Sequence, residues 1–179
     1  MTARAVAGLL FVLASPTAAP TDAAAVPQGY RQVAAEYGIP PAIFYAVALA
    51  ESGRVLDASP ALHPWPWTLN IRGKAQFFER RRAAERALAA ALAEGEDGID
   101  VGLMQVNWRY HRARLKEPRA ALDPYRNLRA GAAILQGCRQ SRQDWWSAVG
   151  CYHAPADPAR ALAYRARVAD HWRRLKTAQ

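Results

Sequence analysis

The chain has 179 residues, 51% hydrophobic and 22% charged, a composition that fits one globular domain and excludes a disordered or low-complexity protein. The net charge is +9, with basic clusters at residues 79–82 and 172–174, so the surface attracts nucleic acid, anionic lipid or an acidic cell wall. Solvated helix faces carry similar clusters, so charge alone does not choose among these partners.

The first 25 residues have the layout of a secretory signal. Arg4 precedes an apolar stretch over residues 5–14, and small residues follow. This stretch is too short to remain as a membrane-spanning helix, so we expect export without stable membrane insertion after cleavage. Cleavage after Ala25 fits the small-x-small rule better than cleavage after Ala19, and it leaves a single domain over residues 26–179. The alternative interpretation is a stray apolar tail or a misassigned start codon.

Helical spacing and helix end signals dominate the next segment. A short helix is predicted over residues 28–37, and Pro40 and Pro41 begin another, because proline is tolerated in the first helical turn. The second helix is apolar nearly all round over residues 42–50, which places it in the core. Its C-terminal end carries Glu51, an unusual position for an ionisable carboxyl.

The middle of the chain predicts a small β element. Residues 55–73 contain prolines and tryptophans and are predicted as loop and short strand. Residues 74–93 return to helical spacing. Residues 99–107 look extended, and we expect them to pair with residues 68–71 in a hairpin-like sheet.

Three further helices are predicted toward the C-terminus. Asp-Pro pairs begin the first, over residues 123–137, and the last, over residues 157–176, while the second covers residues 143–152. An even cysteine count suggests a Cys138–Cys151 disulfide in an oxidising compartment and two buried thiols in the cytosol. Because neither cysteine has His or Cys neighbours at metal-binding spacing, we expect no structural metal. No cofactor is predicted either.

Four short strings occur in a definite order along the chain. Each one alone is weak evidence, but four in this order are specific. They are Ala50-Glu51-Ser52-Gly53, Gly102-Leu103-Met104-Gln105-Val106-Asn107, Asn127-Leu128-Arg129-Ala130-Gly131 and Ala148-Val149-Gly150-Cys151-Tyr152-His153. Together they resemble the lytic transglycosylases of the goose-type lysozyme superfamily. That family has Glu-Ser after an apolar helix, then Gly-Leu-Met-Gln, Asn-x-x-x-Gly and a late Ala-x-Tyr-Asn. The resemblance covers about residues 30–155.

The resemblance implies a mainly α, lysozyme-like domain with a two- or three-stranded β element beside an active-site cleft. It also implies a monomeric periplasmic enzyme that cleaves the MurNAc-GlcNAc β-1,4 bond of peptidoglycan and leaves a 1,6-anhydroMurNAc end. The lead-in at residues 99–102, Asn107 and the two cysteines resemble the small exported transglycosylases of conjugation, type IV secretion or pilus systems. Components of such an apparatus are therefore candidate partners.

Glu51 matches the catalytic Glu of this family. The acid must stay protonated near neutral pH, and burial against the apolar helix raises a carboxyl pKa. The family needs no second carboxylate, although many glycosidases do. The resemblance implies that the substrate's N-acetyl group stabilises the cationic centre and that its 6-hydroxyl, deprotonated by the same Glu, closes the anhydro ring.

Other matching residues are assigned to substrate binding by the same resemblance. Gln105 matches a residue that binds sugar and N-acetyl groups, and Tyr152 matches the Tyr whose hydroxyl reaches the catalytic carboxyl. Asn70 stands where the family often has a Ser near the N-acetyl site. Met104 either lines the cleft or belongs to the core. The remaining candidates for substrate binding are Ser52 and Asn107.

Several features have competing interpretations. His153 and Pro155 replace the usual Asn and Gly of the last string, and we expect His153 to be structural, although it would make binding pH-sensitive if it met substrate. Trp65 and Trp67 either stack on sugar rings or, as we prefer, fill the core. Asp100 is interpreted as a hairpin or loop residue in preference to a second carboxylate.

Two further expectations concern structure outside the expected cleft. Asn127 is expected to brace its helix instead of touching sugar. The stretch over residues 57–100 is longer than in the shortest family members and is expected to form a lid or a partner surface.

Three other functions compete with the transglycosylase. A goose-type lysozyme would hydrolyse the same bond, and a non-catalytic scaffold would bind the wall without cleaving it. A basic nucleic-acid-binding protein is disfavoured by the export signal and by the lack of a recognised nucleic-acid motif.

Overall fold

The structure is a computed structural model that describes residues 26–57 and 59–177, so the proposed signal sequence lies outside the described residues. The described part is mainly helical with small antiparallel sheets, as predicted. The helices are α1 (Gln28–Glu36), α2 (Pro41–Ser52), α3 (Arg81–Ala93), α4 (Trp108–Leu115), α5 (Pro118–Ala121), α6 (Pro124–Arg142), α7 (Trp145–His153) and α8 (Pro158–Thr177). The strands are β1 (Gly53–Leu56), β2 (Ser59–Pro64), β3 (Thr68–Ile71), β4 (Lys74–Phe77), β5 (Asp100–Val101) and β6 (Val106–Asn107).

The predicted pairing of the two extended segments is confirmed. Strand β3 pairs antiparallel with β5, with Asn70 opposite Asp100, in a sheet of order β4-β3-β5-β6. Strands β1 and β2 form a separate hairpin. The first sheet has four strands instead of two or three, because residues 74–77 form β4 and not the start of a helix. Arg72 and Gly73 both have positive φ, as a type I′ turn requires, and this turn folds β4 back onto β3.

Helix α2 lies in the core, as its apolar sequence predicted. Every side chain from Ala42 to Leu49 is buried, and the helix packs against α1, α8 and the β1–β2 hairpin. Glu51 is its penultimate residue. The helix therefore leads from the core to the cleft lining, where it places the Glu51 carboxyl.

The remaining elements extend or correct the predictions. Helices α4 and α5 were not predicted, and α6 continues past residue 137 to Arg142. The stretch over residues 57–100 forms β2, β3, β4 and α3, and α3 packs against β3 and α5. In residues 26–57 and 59–177 no single helix is long and apolar enough to cross a membrane. Helices α1 and α2, which are bent relative to each other, together have the length and composition of a membrane span, but no other observation supports one.

The Cys138–Cys151 disulfide is present and joins α6 to α7, with Cα atoms 5.8 Å apart. The cysteine pairing expected in an oxidising compartment is thus confirmed.

The turn between β5 and β6 is fixed by the buried side chain of Asn127. Its Oδ1 accepts a hydrogen bond from the Met104 amide at 2.9 Å, and its Nδ2 donates to the Val101 and Ala121 carbonyls at 2.8 and 3.1 Å. Gly102 has φ +79°, and a Cβ there would lie 2.5 Å from Asn127 Nδ2. Asn127 braces the turn as well as its own helix.

Gly131 gives this turn room to pack. A Cβ at this position of α6 would lie 2.6 Å from the Met104 side chain. The Asn-x-x-x-Gly string is therefore a docking surface for the Gly-Leu-Met-Gln turn: the asparagine bonds the backbone of the turn, and the glycine, about one helical turn later, admits its methionine.

Substitution of Gly131 tests this packing. We expect Gly131→Ala to lower the free energy of unfolding by about 1–3 kcal/mol, because Met104 must move out of a filled core. The matched control is Gly137→Ala on the same helix, where a Cβ meets nothing within 4 Å. Since alanine is the better helix former, the control should gain about 0.5–1 kcal/mol. Urea denaturation of both variants measures the difference, and equal effects would contradict the proposed contact.

Candidate active site

A cleft of about 930 Å³ opens between the four-stranded sheet and helices α2, α7 and α8. Its lining brings together five of the seven residues predicted for the site: Glu51, Asn70, Gln105, Asn107 and Tyr152. It also contains residues that were not predicted to act there: Asp100, Tyr110, His111, His153, Arg160 and Arg167.

The Glu51 side chain is only 11% exposed at the cleft wall. The Tyr164 hydroxyl donates a 2.5 Å hydrogen bond to its Oε1. Burial is the main influence on the carboxyl and raises its pKa to about 7. The Tyr164 hydrogen bond and the positive charge of Arg167 lower the pKa by less, and the negative charge of Asp100 adds to the rise. The carboxyl is thus poised to hold or release a proton near neutral pH.

The tyrosine that contacts Glu51 is not the one predicted. The hydroxyl of Tyr152 donates to the Met104 carbonyl at 2.6 Å and so holds the β5–β6 turn. Tyr164 occupies the predicted role from α8, beyond the last of the four strings, where it is 1% exposed. Sequence reasoning missed it because nothing but an aromatic residue on an amphipathic helix marks the position.

His153 lies at the end of α7 and lines the cleft. Its ring stacks on the Tyr164 ring with centroids 4.4 Å apart and an interplanar angle of 2°. Its Nδ1 is 3.9 Å from Glu51 Oε1. Burial, followed by the charges of Arg167 and Arg160, lowers the pKa of His153, so the imidazole is neutral at pH 7 and supports Tyr164 by packing.

Asp100 lies in the β5–β6 hairpin, as interpreted from the sequence, and its side chain also lines the cleft, which was not predicted. Its carboxyl accepts hydrogen bonds from Asn70 Nδ2 at 3.2 Å and from Asn107 Nδ2 at 2.8 Å. Burial is the largest influence on its pKa and raises it, although both amides act in the opposite direction. The Oδ1 of Asn70 is buried without a hydrogen-bond partner in the described structure.

Two of the predicted binding residues do not line the cleft. Met104 is fully buried and packs on α6, so the core interpretation is the one observed. Ser52 is 1% exposed, and its hydroxyl contacts the Ala48 and Leu103 carbonyls. Gln105 does line the cleft, but its Nε2 donates to the Thr68 and Gly102 carbonyls. Only its Oε1 is left to accept a hydrogen bond from a ligand.

The aromatic residues divide between core and cleft. Trp65 and Trp67 are half-buried and pack edge to face on each other. Trp65 Nε1 donates to the Phe78 carbonyl, Trp67 packs against the core, and neither residue lines the cleft. Tyr110, at the start of α4, is 75% exposed and does line it. An exposed aromatic face at a polar cleft suits stacking on a sugar ring.

No group of three or more His, Cys, Asp or Glu side chains within the described ranges is arranged to hold a metal ion. What the cleft offers is a buried carboxyl that is partly protonated at neutral pH, polar side chains in an open lining and an exposed aromatic ring. A carboxyl in this state can act as the proton donor in glycan cleavage.

Comparison with known families agrees with this chemistry. The family described as Transglycosylase SLT domain matches residues 29–171. The chain belongs to this family, and at the family level it is a peptidoglycan lytic transglycosylase. No curated protein and no solved structure matches the chain.

The burial of Glu51 predicts a pH-dependent gain in stability on substitution. Below pH 4.5 the carboxyl is neutral in both the folded and the unfolded chain. Between pH 4.5 and about 7 only the unfolded chain ionises, so the wild-type protein loses stability as pH rises, by about 3 kcal/mol in total. Glu51→Gln does not titrate at this position. It should be more stable than wild type by up to this amount at pH 8 and equal to it near pH 4.

Urea denaturation at pH 4, 6 and 8 measures this difference. The matched control is Glu94→Gln, whose carboxyl is exposed and whose replacement should change stability by less than about 0.5 kcal/mol. A Glu51→Gln variant that is equally stable to wild type at pH 8 would contradict the elevated pKa.

Proposed function

We propose that Glu51 is the single acid and base of a lytic transglycosylase that cleaves the MurNAc-GlcNAc β-1,4 bond and leaves a 1,6-anhydroMurNAc end. The observation that carries this proposal is the burial of the Glu51 carboxyl in the cleft, under the Tyr164 hydroxyl, with a pKa of about 7. A general acid with a pKa near the working pH is the most effective donor to a leaving oxygen.

The proposed reaction conserves protons and needs no water. Protonated Glu51 donates to the glycosidic oxygen as the C1–O bond breaks, and the N-acetyl group of the MurNAc residue stabilises the positive charge at C1. The Glu51 carboxylate then removes the proton of the 6-hydroxyl, and O6 bonds to C1. Tyr164 stabilises the Glu51 carboxylate that exists between these two steps, because its hydrogen bond is stronger to a carboxylate than to a neutral acid.

Two polar groups are proposed to position the sugar. The side-chain amide of Asn70, which lines the cleft, is suited to bind an acetamido group. The Oε1 of Gln105 is suited to accept from a sugar hydroxyl. Asn107 acts differently: its amide holds Asp100, and its Oδ1 caps α4.

The product identifies the reaction. Purified peptidoglycan incubated with the protein should release muropeptides that carry 1,6-anhydroMurNAc ends, detected by mass spectrometry. Glu51→Gln should lower the rate by about 10³-fold, a typical contribution of general acid catalysis. Full activity in this variant would contradict the role of Glu51, whereas a wild-type protein that releases no muropeptides would favour the non-catalytic scaffold.

One observation favours hydrolysis as a second candidate. Asp100 places another carboxyl in the same cleft, and its charge acts on Glu51. Hydrolytic glycosidases use such a carboxyl to direct water or to stabilise the cation. In that case the products would have reducing ends without anhydro sugars, and Asp100→Asn would abolish their formation. For the transglycosylase, the Asp100→Asn variant should still form the anhydro product.

The pH profile tests the contact between Tyr164 and Glu51. Because the hydrogen bond lowers the Glu51 pKa, Tyr164→Phe should raise it and move the alkaline limb of kcat/KM upward by about one pH unit. Tyr152→Phe is the matched control: it removes a hydroxyl that bonds only a backbone carbonyl in the described structure and should lower stability without moving the limb. A shift in both variants or in neither would contradict the assignment.

We further propose that the protein acts in the periplasm after removal of its signal, and that it opens the wall locally for a conjugation, secretion or pilus apparatus. The signal-like N-terminus and the sequence resemblance support this. Mass spectrometry of the protein recovered from the periplasm would give its mature N-terminus. Loss of function of the apparatus in a Glu51→Gln strain would support the partnership, and unchanged function would argue against it.

A further inference from the structure

Helix α8 presents two cationic side chains to the cleft. Arg160 and Arg167 are seven residues apart, about two helical turns, so they lie on one face of the helix, and both line the cleft beside Glu51. Arg167 lies over the Tyr164 ring, with its guanidinium carbon 4.9 Å from the ring centroid. Within residues 26–57 and 59–177, neither arginine forms an ion pair with a carboxylate.

The acidic residues of the cleft do not neutralise these arginines. Glu51 is buried and partly protonated at neutral pH, and the Asp100 carboxyl is held by two asparagine amides. The charges of both arginines also reach the interior of the site, since they lower the pKa of His153, and Arg167 lowers that of Glu51. One wall of the cleft is therefore positively charged, and in the described part of the chain its two arginines form no ion pair with a carboxylate.

We propose that Arg160 and Arg167 form a subsite for a carboxylate of the glycan strand, carried by the MurNAc residue or by its peptide stem. This inference rests on the proposed peptidoglycan substrate. The guanidinium group matches a carboxylate in shape and charge and binds it through paired hydrogen bonds. Such carboxylates occur on peptide stems and, where the stem has been removed, on the lactyl group of MurNAc.

Occupation of this subsite has a consequence for the acid. Arg167 lies over the ring of Tyr164, whose hydroxyl is bonded to Glu51, so its positive charge favours the ionised form of Glu51 in the free enzyme. A carboxylate bound to Arg167 offsets that positive charge, so Glu51 retains its proton more readily when an acidic strand is bound. Substrate binding and protonation of the acid are thereby coupled.

Binding to the chemically silent Glu51→Gln variant tests the subsite. The ligands are a GlcNAc-MurNAc tetrasaccharide with peptide stems, the same tetrasaccharide after amidase treatment, which bears lactyl carboxylates, and chitotetraose, which has none. Adding Arg160→Gln and Arg167→Gln should weaken binding of the carboxylate ligands about five- to tenfold by calorimetry, because two exposed ion pairs are lost. Binding of chitotetraose should not change. The loss should diminish at high salt.

The matched control adds Arg173→Gln and Arg174→Gln, which remove the same charge from the exposed end of α8, away from the cleft lining. This control should bind all three ligands as the parent does. An equal loss on all three ligands, or no loss on any, overturns the subsite. Failure of the parent variant to bind any of the ligands would instead overturn the proposed substrate. Comparison of the stem-bearing and stripped tetrasaccharides shows which carboxylate is bound.

The coupling between carboxylate binding and protonation of Glu51 is tested separately, by pH profiles of an enzyme that retains Glu51. Arg167→Gln should move the alkaline limb of kcat/KM upward, because the free enzyme loses a charge that favours ionised Glu51. The limb of kcat on stem-bearing strands should move less, because bound substrate already offsets that charge. Equal shifts in both profiles would overturn the coupling.

Discussion

The Glu51 carboxyl loses most of its contact with water at the end of α2, and the rest of the site is arranged around that desolvation. Helix α2 is buried along its whole apolar length, so the carboxyl enters the cleft from the core instead of from the surface. At such a buried position the neutral acid has a lower free energy than the carboxylate. Tyr164 and Arg167 partly offset this preference, which keeps the pKa near 7 and leaves both protonation states accessible.

The four strings that carry the family resemblance act largely by fixing geometry. Asn127 and Gly131 dock the β5–β6 turn on α6, while Ser52 and Tyr152 bond its carbonyls. This turn positions Gln105 and the strand that carries Asp100. Many residues that identify the family therefore do not touch substrate in the proposed mechanism. They hold in place the few residues that would contact substrate.

Helix α8 supplies much of the chemistry that the strings do not mark. It provides the hydroxyl that contacts Glu51, the arginine above that tyrosine ring and a second arginine at the cleft. His153 joins this group by stacking on Tyr164. The electrostatic environment of the proposed acid thus depends on the packing of α8 against α2 and α7.

The sequence by itself determined the mainly helical class and the buried helix that ends at Glu51, because hydrophobic periodicity and proline act locally along the chain. It also indicated the β3–β5 pairing and the cysteine pair, but the disulfide depended on the compartment. It did not determine β4, because a turn at Arg72 and Gly73 overrode the helical spacing that follows. Only the tertiary structure decided that Tyr164 replaces Tyr152 at the carboxyl, that Met104 and Ser52 face inward and that Asp100 faces the cleft. These outcomes depend on contacts between residues distant in sequence, which no local pattern records.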